Sequence, residues 1–348
     1  MQKFLASSLA ALALSISASA ATAADETKIR VLGWYGNQPQ SQEVERPFWT
    51  EISKRTDGSF STTFRTIDEL GLKGFESLRT LQSGAFDILA FQISFVGGEA
   101  PILMGADLPG AAFDFDQLQK NLDAYRPILE KELDERFKAK LLSVWSFPFQ
   151  ILYCKGDVDS LDELKGKKVR VSGTYTAKLV EDLGAAGVTL AGPEVYQGLM
   201  QGVVDCAITG SQYGNSNDWF EVSNTLSPIP LGGAGVVLHV ATKSFWDKLS
   251  PEKQISLESE MKRLEKDLWA IGRKGHQDGI NCNTGQEPCE GKAGKMKLVE
   301  PTEEDKKKVQ DFLVESIVPL WAQDCSKFNK SCDEDWMNTI GAAAGIKQ

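Results

Sequence analysis

The sequence has little histidine and lacks the short motifs that mark common catalytic sites. Only two histidines occur, His239 in an apolar stretch and His276 in a charged one. The G-x-S-x-G, P-loop, H-E-x-x-H and Rossmann glycine patterns are all missing. The glycines at 232, 233 and 235 follow a proline-rich turn, which favours a loop or hinge over a phosphate-binding cradle. We therefore expect a protein that is not an enzyme and that needs no cofactor and no metal.

Positive charge is also scarce, and long apolar runs are missing after the N-terminus. The chain has 38 Lys and Arg against 48 Asp and Glu, a net charge of −10. This balance argues against nucleic acid or an anionic membrane as a partner. No later stretch reaches the roughly 18 uncharged apolar residues of a membrane span. An acidic ligand stays possible, because a cleft can concentrate positive charge locally.

The N-terminus has the pattern of an export signal. Lys3 is the only charged side chain before Asp25, and residues 4–16 are apolar and small. Ala21 and Ala23 frame a small-x-small cleavage site. We predict that residues 1–23 are a signal peptide and that the mature chain is exported, to the periplasm where the host has an outer membrane.

Six cysteines in an exported chain predict disulfides. Cys282 and Cys289 enclose six residues, as do Cys325 and Cys332, and both spacings suit local loops. Cys154 and Cys206 remain, each at an apolar stretch, where they could bridge neighbouring strands. Six cysteines allow 15 pairings, so spacing does not settle the connectivity. Neither C-x2-C spacing nor clustered histidine supports zinc.

Apolar periodicity predicts an α/β chain. Strands are expected at 27–33, 59–66 and 86–91, with helices at 42–56 and 74–83 between them. This β-α-β-α-β order predicts a mainly parallel sheet covered by helices. Further helices are expected at 116–137, 251–274 and 302–322, a further strand begins at 140, and Thr302 is a plausible N-cap.

Two segments share a helix-to-strand pattern. SLRTLQSGAFDILAFQ and YQGLMQGVVDCAITG place Gly84 and Asp87 at the same spacing as Gly202 and Asp205. One explanation is the general preference of such turns for Gly and Asp. The other is that one α/β unit occurs in two facing domains, which predicts a hinged protein whose ligand lies at strand ends. We assign residues 24–147 and 237–277 to the first domain, and 148–236 and 278–348 to the second.

Arg170 is the strongest candidate for ligand binding. It lies in LDELKGKKVRV, where a polar turn leads into a short strand. A guanidinium that leaves a strand towards a cleft can bind a carboxylate through two hydrogen bonds. The alternative is a solvated surface arginine beside Lys165, Lys167 and Lys168.

Several segments resemble one family in order and spacing, over residues 28–320. LDELKGKKVRV and EVYQGLMQGVVDCAITG are similar to the D-L-K-G-x-K-x-R-V and E-V-Y-x-A-L-Q-x-G-x-V-D-G segments of TRAP transporter solute-binding proteins (DctP type). Weaker matches are IDELGL at Ile67, GAFDILAF at Gly84, DWFEVSNTL at Asp218 and KLSPEKQ at Lys248. The cysteine loops near the C-terminus have no clear counterpart in that family.

The resemblance implies a two-domain receptor with a hinge, a cleft and a long domain-spanning helix near residue 251. Such a receptor closes over a small organic acid and delivers it to a TRAP membrane permease. Arg170 would bind the ligand's carboxylate. The other implied substrate-binding positions are Trp34, Gln92, Gln150, Thr209 and Tyr213. Many members have a second arginine where this chain has Gln150, so we expect a monocarboxylate in a more apolar pocket. For Phe147 and Phe149, core packing is the favoured role.

Three alternatives fit the same sequence features. An ABC-type periplasmic receptor or a sensory receptor would use the same two-domain closure. An exported enzyme would instead use Asp or Glu residues of the cleft.

Overall fold

The computed structural model describes residues 26–346, so the predicted signal peptide at 1–23 lies outside the described residues. Within that part the chain forms two β-sheets with helices around them. The strands are β1 (Thr27–Gly33), β2 (Phe60–Thr66), β3 (Ile88–Gln92), β4 (Ala139–Ser146), β5 (Gln150–Cys154), β6 (Lys168–Val171), β7 (Ala186–Thr189), β8 (Cys206–Gly210), β9 (Thr225–Ser227), β10 (Val236–Thr242) and β11 (Lys297–Leu298). The predicted α/β fold class is confirmed.

The first sheet has the strand order β2-β1-β3-β10-β4. β1 pairs parallel to β2 and β3, as the alternating strands and helices predict. β10 returns from later in the chain and pairs antiparallel to both β3 and β4. β10 is therefore an interior strand of this sheet, and all seven of its residues are buried.

The second sheet has the order β11-β9-β5-β8-β6-β7. β6 is parallel to β7 and β8, whereas β5 is antiparallel to β8 and β9. The chain passes between the sheets after β4, before β10 and through a long helix. A cleft lies between the two halves.

The helices cover the sheets and connect the halves. They are α1 (Arg46–Arg55), α2 (Ser77–Ser83), α3 (Pro101–Met104), α4 (Phe115–Phe137), α5 (Thr174–Asp182), α6 (Val195–Gln201), α7 (Ser211–Ser216), α8 (Lys243–Trp246), α9 (Pro251–Thr284), α10 (Glu303–Phe312), α11 (Val318–Cys325) and α12 (Cys332–Trp336). Three π-helical turns adjoin them, Gln40–Glu45, Leu313–Ile317 and Met337–Gly341. Thr302 caps α10 as predicted, since its side chain accepts from the N–H of Asp305. No helix of residues 26–346 is long and apolar enough to cross a membrane.

Helix α9 spans both halves and is ten residues longer than the predicted 251–274. It contacts β4 of the first sheet, and α7 and β9 of the second. The regularly spaced large apolar residues by which a helix is recognised stop near residue 271. Beyond that point, glycines make the contact of α9 with the second half. A Cβ on Gly279 would lie 2.5 Å from the backbone nitrogen of Gln212, and one on Gly275 would lie 2.9 Å from its Oε1. The helix therefore continues by close backbone packing, which leaves no hydrophobic periodicity to detect.

The two similar segments occupy equivalent places in the two sheets. The carboxylate of Asp87 accepts a hydrogen bond from the backbone N–H of Arg30 on β1 at 2.8 Å. Asp205 bonds the N–H of Lys168 on β6 in the same way, also at 2.8 Å. In both segments the preceding helix ends at a glycine with positive φ. One α/β unit therefore recurs in both halves of the molecule.

The three disulfides have the pairing that spacing favours. Cys282 pairs with Cys289, and Cys325 with Cys332. Cys154 and Cys206 are directly opposite each other on the antiparallel strands β5 and β8, and are bonded.

Candidate ligand-binding site

A cavity of about 410 Å³ lies in the cleft between the two sheets. One side is formed by the segments that follow β3, and the other by β5, the start of α5 and the loop before β10. A short C-terminal stretch completes the wall. The lining residues are Gln92, Ser94, Gly97, Gly98, Pro101, Met104, Asp107, Pro109, Gln150, Ser172, Gly173, Thr174, Tyr175, Thr176, Gly232, Gly235, Asp324, Lys327 and Phe328.

Gln92 and Gln150 reach this cavity from opposite sheets, as the sequence predicts for both. Gln92 is the last residue of β3 and Gln150 the first of β5. Their Nε2 atoms would lie 3.2 and 3.7 Å from a Cβ placed on Gly235. Gly235 has φ +67°, so a side chain there would be strained as well as crowded. The glycine leaves room for the two amides to meet a ligand.

Arg170 is buried on β6, two residues before the wall residue Ser172. Only 7% of its surface is exposed. Its Nε donates to the carbonyl of Leu190 at 3.0 Å and its Nη1 to that of Ile208 at 2.8 Å. Burial lowers the pKa of Arg170 from its usual value. Among residues 26–346 no carboxylate forms an ion pair with this guanidinium, which leaves a buried cation without its natural counterion.

Thr209 lies on the same face of the second sheet as Arg170. Arg170 is in register with Ala207, and Thr209 is two residues further along β8. Alternate residues of a strand share a face. Thr209 is 6% exposed, and its hydroxyl has no hydrogen-bond partner among the described side chains and backbone groups.

Tyr213 lies near Arg170 at the start of α7. The charge of Arg170 lowers the pKa of Tyr213, but burial outweighs it and the net shift is upward. Its hydroxyl would be 2.5 Å from a Cβ on Gly192. Tyr35, from the first half, senses the charge of Tyr213, so its pKa rises through burial, Asp68 and then Tyr213. The two tyrosines therefore lie close enough to interact electrostatically.

Trp34 lies in the core of the first half. It is 2% exposed, and its ring packs edge-on against Tyr35 and Phe95 with centroids 5.0 and 5.4 Å away. Its neighbour Tyr35 is only partly buried. Phe149 is likewise core, against Phe115.

The cavity also contains residues that the sequence did not point to. Residues 172–176 directly follow β6, the strand that carries Arg170. Their position at the end of that strand could have identified them from the sequence. Asp107 had none, because its role depends on a contact between distant segments. It accepts hydrogen bonds from the N–H groups of Ala234 and Val236 at 2.7 and 3.0 Å, and burial raises its pKa to about 6.

The two α/β halves, the cleft between them and the buried guanidinium near it define a two-lobed receptor for a small solute. Within that class, the chain belongs to the bacterial extracellular solute-binding protein family 7 (DctP), whose sequence pattern matches residues 33–324. The resemblance seen in the sequence is thereby confirmed.

Characterised relatives are distant. A solute-binding protein of Albidiferax ferrireducens is 26% identical over 231 residues, which cover 64% of this chain and 66% of that protein. The C4-dicarboxylate-binding periplasmic protein DctP of Rhodobacter capsulatus is 27% identical over 222 residues, 60% of this chain and 62% of that protein. Each of these matches spans slightly less than two thirds of the relative's length.

Solved structures share the fold over nearly their whole length. DctP7 of Bordetella pertussis, an extracytoplasmic solute receptor binding pyroglutamic acid, has a TM-score of 0.73 at 21% identity, covering 90% of this chain and 99% of that one. A TRAP periplasmic solute-binding protein from Desulfovibrio salexigens, with bound orotic acid, has a TM-score of 0.74 at 16% identity, covering 91% and 99%. One from Sulfitobacter, with bound β-D-galacturonate, has 0.71 at 19%, covering 90% and 100%.

Proposed function

We propose that this protein is an extracytoplasmic receptor that binds a small organic acid in its cleft and delivers it to a TRAP-type membrane permease. Arg170 is the observation that carries the proposal. Its guanidinium is buried, is held in place by two backbone carbonyls and lacks a carboxylate partner among the described residues. A buried charge of this kind is costly unless a counterion joins it. A ligand carboxylate would supply that counterion, with the Thr209 hydroxyl beside it.

The ligand that fits best has a single carboxylate. Gln150 provides an amide where a second arginine would provide charge, and Gln92 provides another amide from the opposite sheet. The cavity wall itself contains no arginine among the described residues; it has two carboxylates, Asp107 and Asp324, and one lysine, Lys327, which is paired with Asp324. A second anionic group would meet these carboxylates. A neutral polar group, such as a hydroxyl, oxo or ring amide, would instead hydrogen-bond to the glutamines.

Export, hinge motion and the absence of catalysis belong to the same proposal. The predicted signal peptide and membership of an extracellular family support a periplasmic location. The halves would move as residues 24–147 with 237–277 against residues 148–236 with 278–348. The last helices contact α3 and α4 of the first half as well, so they would be carried with it in part. The receptor role requires no turnover of the acid.

Thermal unfolding with a panel of acids tests the proposal. The panel comprises pyroglutamate, orotate, galacturonate, lactate and succinate, each paired with its amide or methyl ester. An acid at about 100 times its Kd should stabilise the folded protein by about 2.7 kcal/mol. The uncharged partner should stabilise it much less, because it offers Arg170 no charge. Equal stabilisation by acid and ester, or none by any acid, would contradict the proposal.

A transport assay separates the proposed role from the alternatives. Proteoliposomes containing the TRAP permease from the same organism should accumulate the bound acid only when this protein is added. Accumulation that requires an ATPase would favour the ABC-type alternative. Consumption of the acid by the purified protein would favour an enzyme.

A further inference from the structure

The C-terminal disulfide loop, residues 325–332, contributes to the wall of the cavity although it lies beyond the family match. That match ends at residue 324, and the loop begins at Cys325. Lys327 and Phe328 of the loop, with Asp324 just before it, line the same cavity as Gln92 and Gln150. This part of the wall therefore lies outside the matched family pattern.

The loop is held firmly at its base. The Cys325–Cys332 disulfide is buried, and the N–H groups of Phe328 and Asn329 donate to the carbonyl of Cys325 at 2.9 and 3.0 Å. The helices on either side are fixed to the first half of the molecule. The indole N–H of Trp321 donates to Pro101, and that of Trp336 to Gly105. The tip therefore keeps its position relative to the first half.

The tip presents an apolar ring and a charged pair. Phe328 is 49% exposed, which is unusual for phenylalanine, and the guanidinium of Arg136 lies 4.0 Å from its ring centroid. Lys327 pairs with Asp324 at 2.8 Å, with both side chains largely open to solvent. An exposed pair of this kind is weak, so a ligand can rearrange it at little cost.

The loop faces the start of α5 from the second half. Tyr175 of α5 and Asp324 line the same cavity, and burial, together with the charge of Asp324, raises the pKa of Tyr175 to about 12. Thr176, also in the wall, is 7% exposed, and its hydroxyl has no hydrogen-bond partner among residues 26–346. A molecule in the cavity would thus lie between α5 and the loop.

We propose that the 325–332 loop contacts the bound acid and sets its selectivity, an inference that rests on the function proposed above. Phe328 packs against the carbon skeleton of the acid. Lys327 binds a polar group remote from the carboxylate, on the side opposite Gln150. The favoured ligands are then monocarboxylates with a ring or similarly broad carbon body and a neutral polar group. Short acids such as lactate would not reach the loop.

Calorimetric titration of loop variants tests this inference. The probe is whichever of pyroglutamate, orotate and galacturonate stabilises the wild type most, with lactate as the short acid. Phe328→Ala and Lys327→Gln should each weaken binding of that ring acid about tenfold, the change that about 1.4 kcal/mol produces. Lactate should be affected less than twofold. Phe328→Tyr, which keeps the ring, should restore most of the affinity.

Two matched variants serve as controls. Lys330→Gln removes an exposed lysine of the same loop that is not in the cavity wall, and Phe75→Ala removes an exposed phenyl ring elsewhere. Neither should change the affinity. The midpoint of thermal unfolding without ligand should be the same for all variants, and Lys327→Gln retains the test if Phe328→Ala fails to fold.

The outcomes separate this inference from the proposed function. If the loop variants bind the ring acid as tightly as the Lys330→Gln control does, while Arg170→Ala loses binding, the role of the loop is overturned. The proposed receptor function would then still stand. Equal loss for lactate and the ring acid would also overturn it, because the effect would not depend on reach. Failure of the wild type to bind any of these acids would overturn the proposed function and this inference together.

Discussion

At the scale of single residues, Arg170 is buried and His276 is half-buried, and neither has a counterion among residues 26–346, yet their chemistry differs. Arginine remains charged at all relevant pH values, so Arg170 carries a permanent cation into the sheet. Burial lowers the pKa of His276 to about 4, so this side chain is neutral at pH 7. It packs between Phe115 and Phe149, with Nδ1 3.1 Å from the hydroxyl of Ser211. Arg170 therefore stays a cation without a partner among these residues, whereas His276 is an uncharged part of the packing around Phe115 and Phe149.

Substitution of Arg170 should separate a ligand-binding arginine from a surface charge. Arg170→Ala should weaken acid binding by about 2–5 kcal/mol, since it leaves a buried carboxylate without its partner. Arg170→Lys should restore only part of this loss, because an ammonium lacks the planar fork. Lys167→Ala, at the start of the same strand, should have little effect. Calorimetric titration of the three variants measures this, and equal small losses would mean that the carboxylate is bound elsewhere.

The buried imidazole of His276 should make stability depend on pH. Its pKa is about 4 in the folded protein, against about 6.5 when unfolded. The unfolded chain therefore takes up a proton first as pH falls through 6.5, and stability is lost between there and about pH 4. The contribution of His276 alone to the free energy of unfolding should fall by about 2 kcal/mol from pH 7 to pH 5.

The pH effect needs a difference measurement, because Asp107 acts in the opposite direction. Burial raises the pKa of Asp107 to about 6, so its contribution falls as pH rises from about 4 to 6. Urea unfolding at pH 7 and pH 5 should show a larger loss for the wild type than for His276→Gln, which cannot titrate but can still bond Ser211. The same pH dependence in both proteins would mean that His276 is charged or solvated in the fold.

At the scale of elements, the disulfides join parts of very different separation along the chain. Cys154–Cys206 joins strands β5 and β8 across 52 residues, whereas Cys282–Cys289 closes a turn of only 7. The first holds together the central strands of the second sheet, at the end opposite the Gln150–Gly210 pair. The second secures the segment that follows the end of α9.

Removing the bond that closes the longer loop should cost more stability, because the entropic cost grows with the logarithm of loop length. By chain entropy, replacing Cys154 and Cys206 with alanine should cost about 4 kcal/mol, against about 2 kcal/mol for Cys282 and Cys289. Chemical unfolding of the two double variants measures both values, after non-reducing mass mapping has established three disulfides in the wild type. A larger loss for the 282–289 variant would contradict the entropic explanation.

At the scale of the whole molecule, two similar α/β halves meet at a cleft and are connected by a few short passages and helix α9. The cavity takes its walls from both halves, so a bound acid makes contacts with each. Such contacts favour the closed arrangement over the open one. Because α9 packs on both sheets, it would act as the brace about which the halves move.

Binding should therefore draw the halves together. Small-angle X-ray scattering should show a smaller radius of gyration at saturating acid than without it. Arg170→Ala at the same acid concentration should keep the larger value, because it leaves the cleft empty. A radius that stays constant when the wild type is saturated would indicate a rigid pocket.

The sequence by itself determined the elements, the fold class, the family and the cysteine spacing, because each is written in local periodicity or in short ordered motifs. The family resemblance also pointed to Gln92 and Gln150, which both line the cavity. Only the tertiary structure decided what depends on distant contacts. It buried Trp34 in the core, extended α9 through glycine packing, tied Asp107 to Ala234, and brought Lys327 of a C-terminal loop to the cavity wall. Such contacts join residues far apart in the chain, and no local pattern of side chains encodes them.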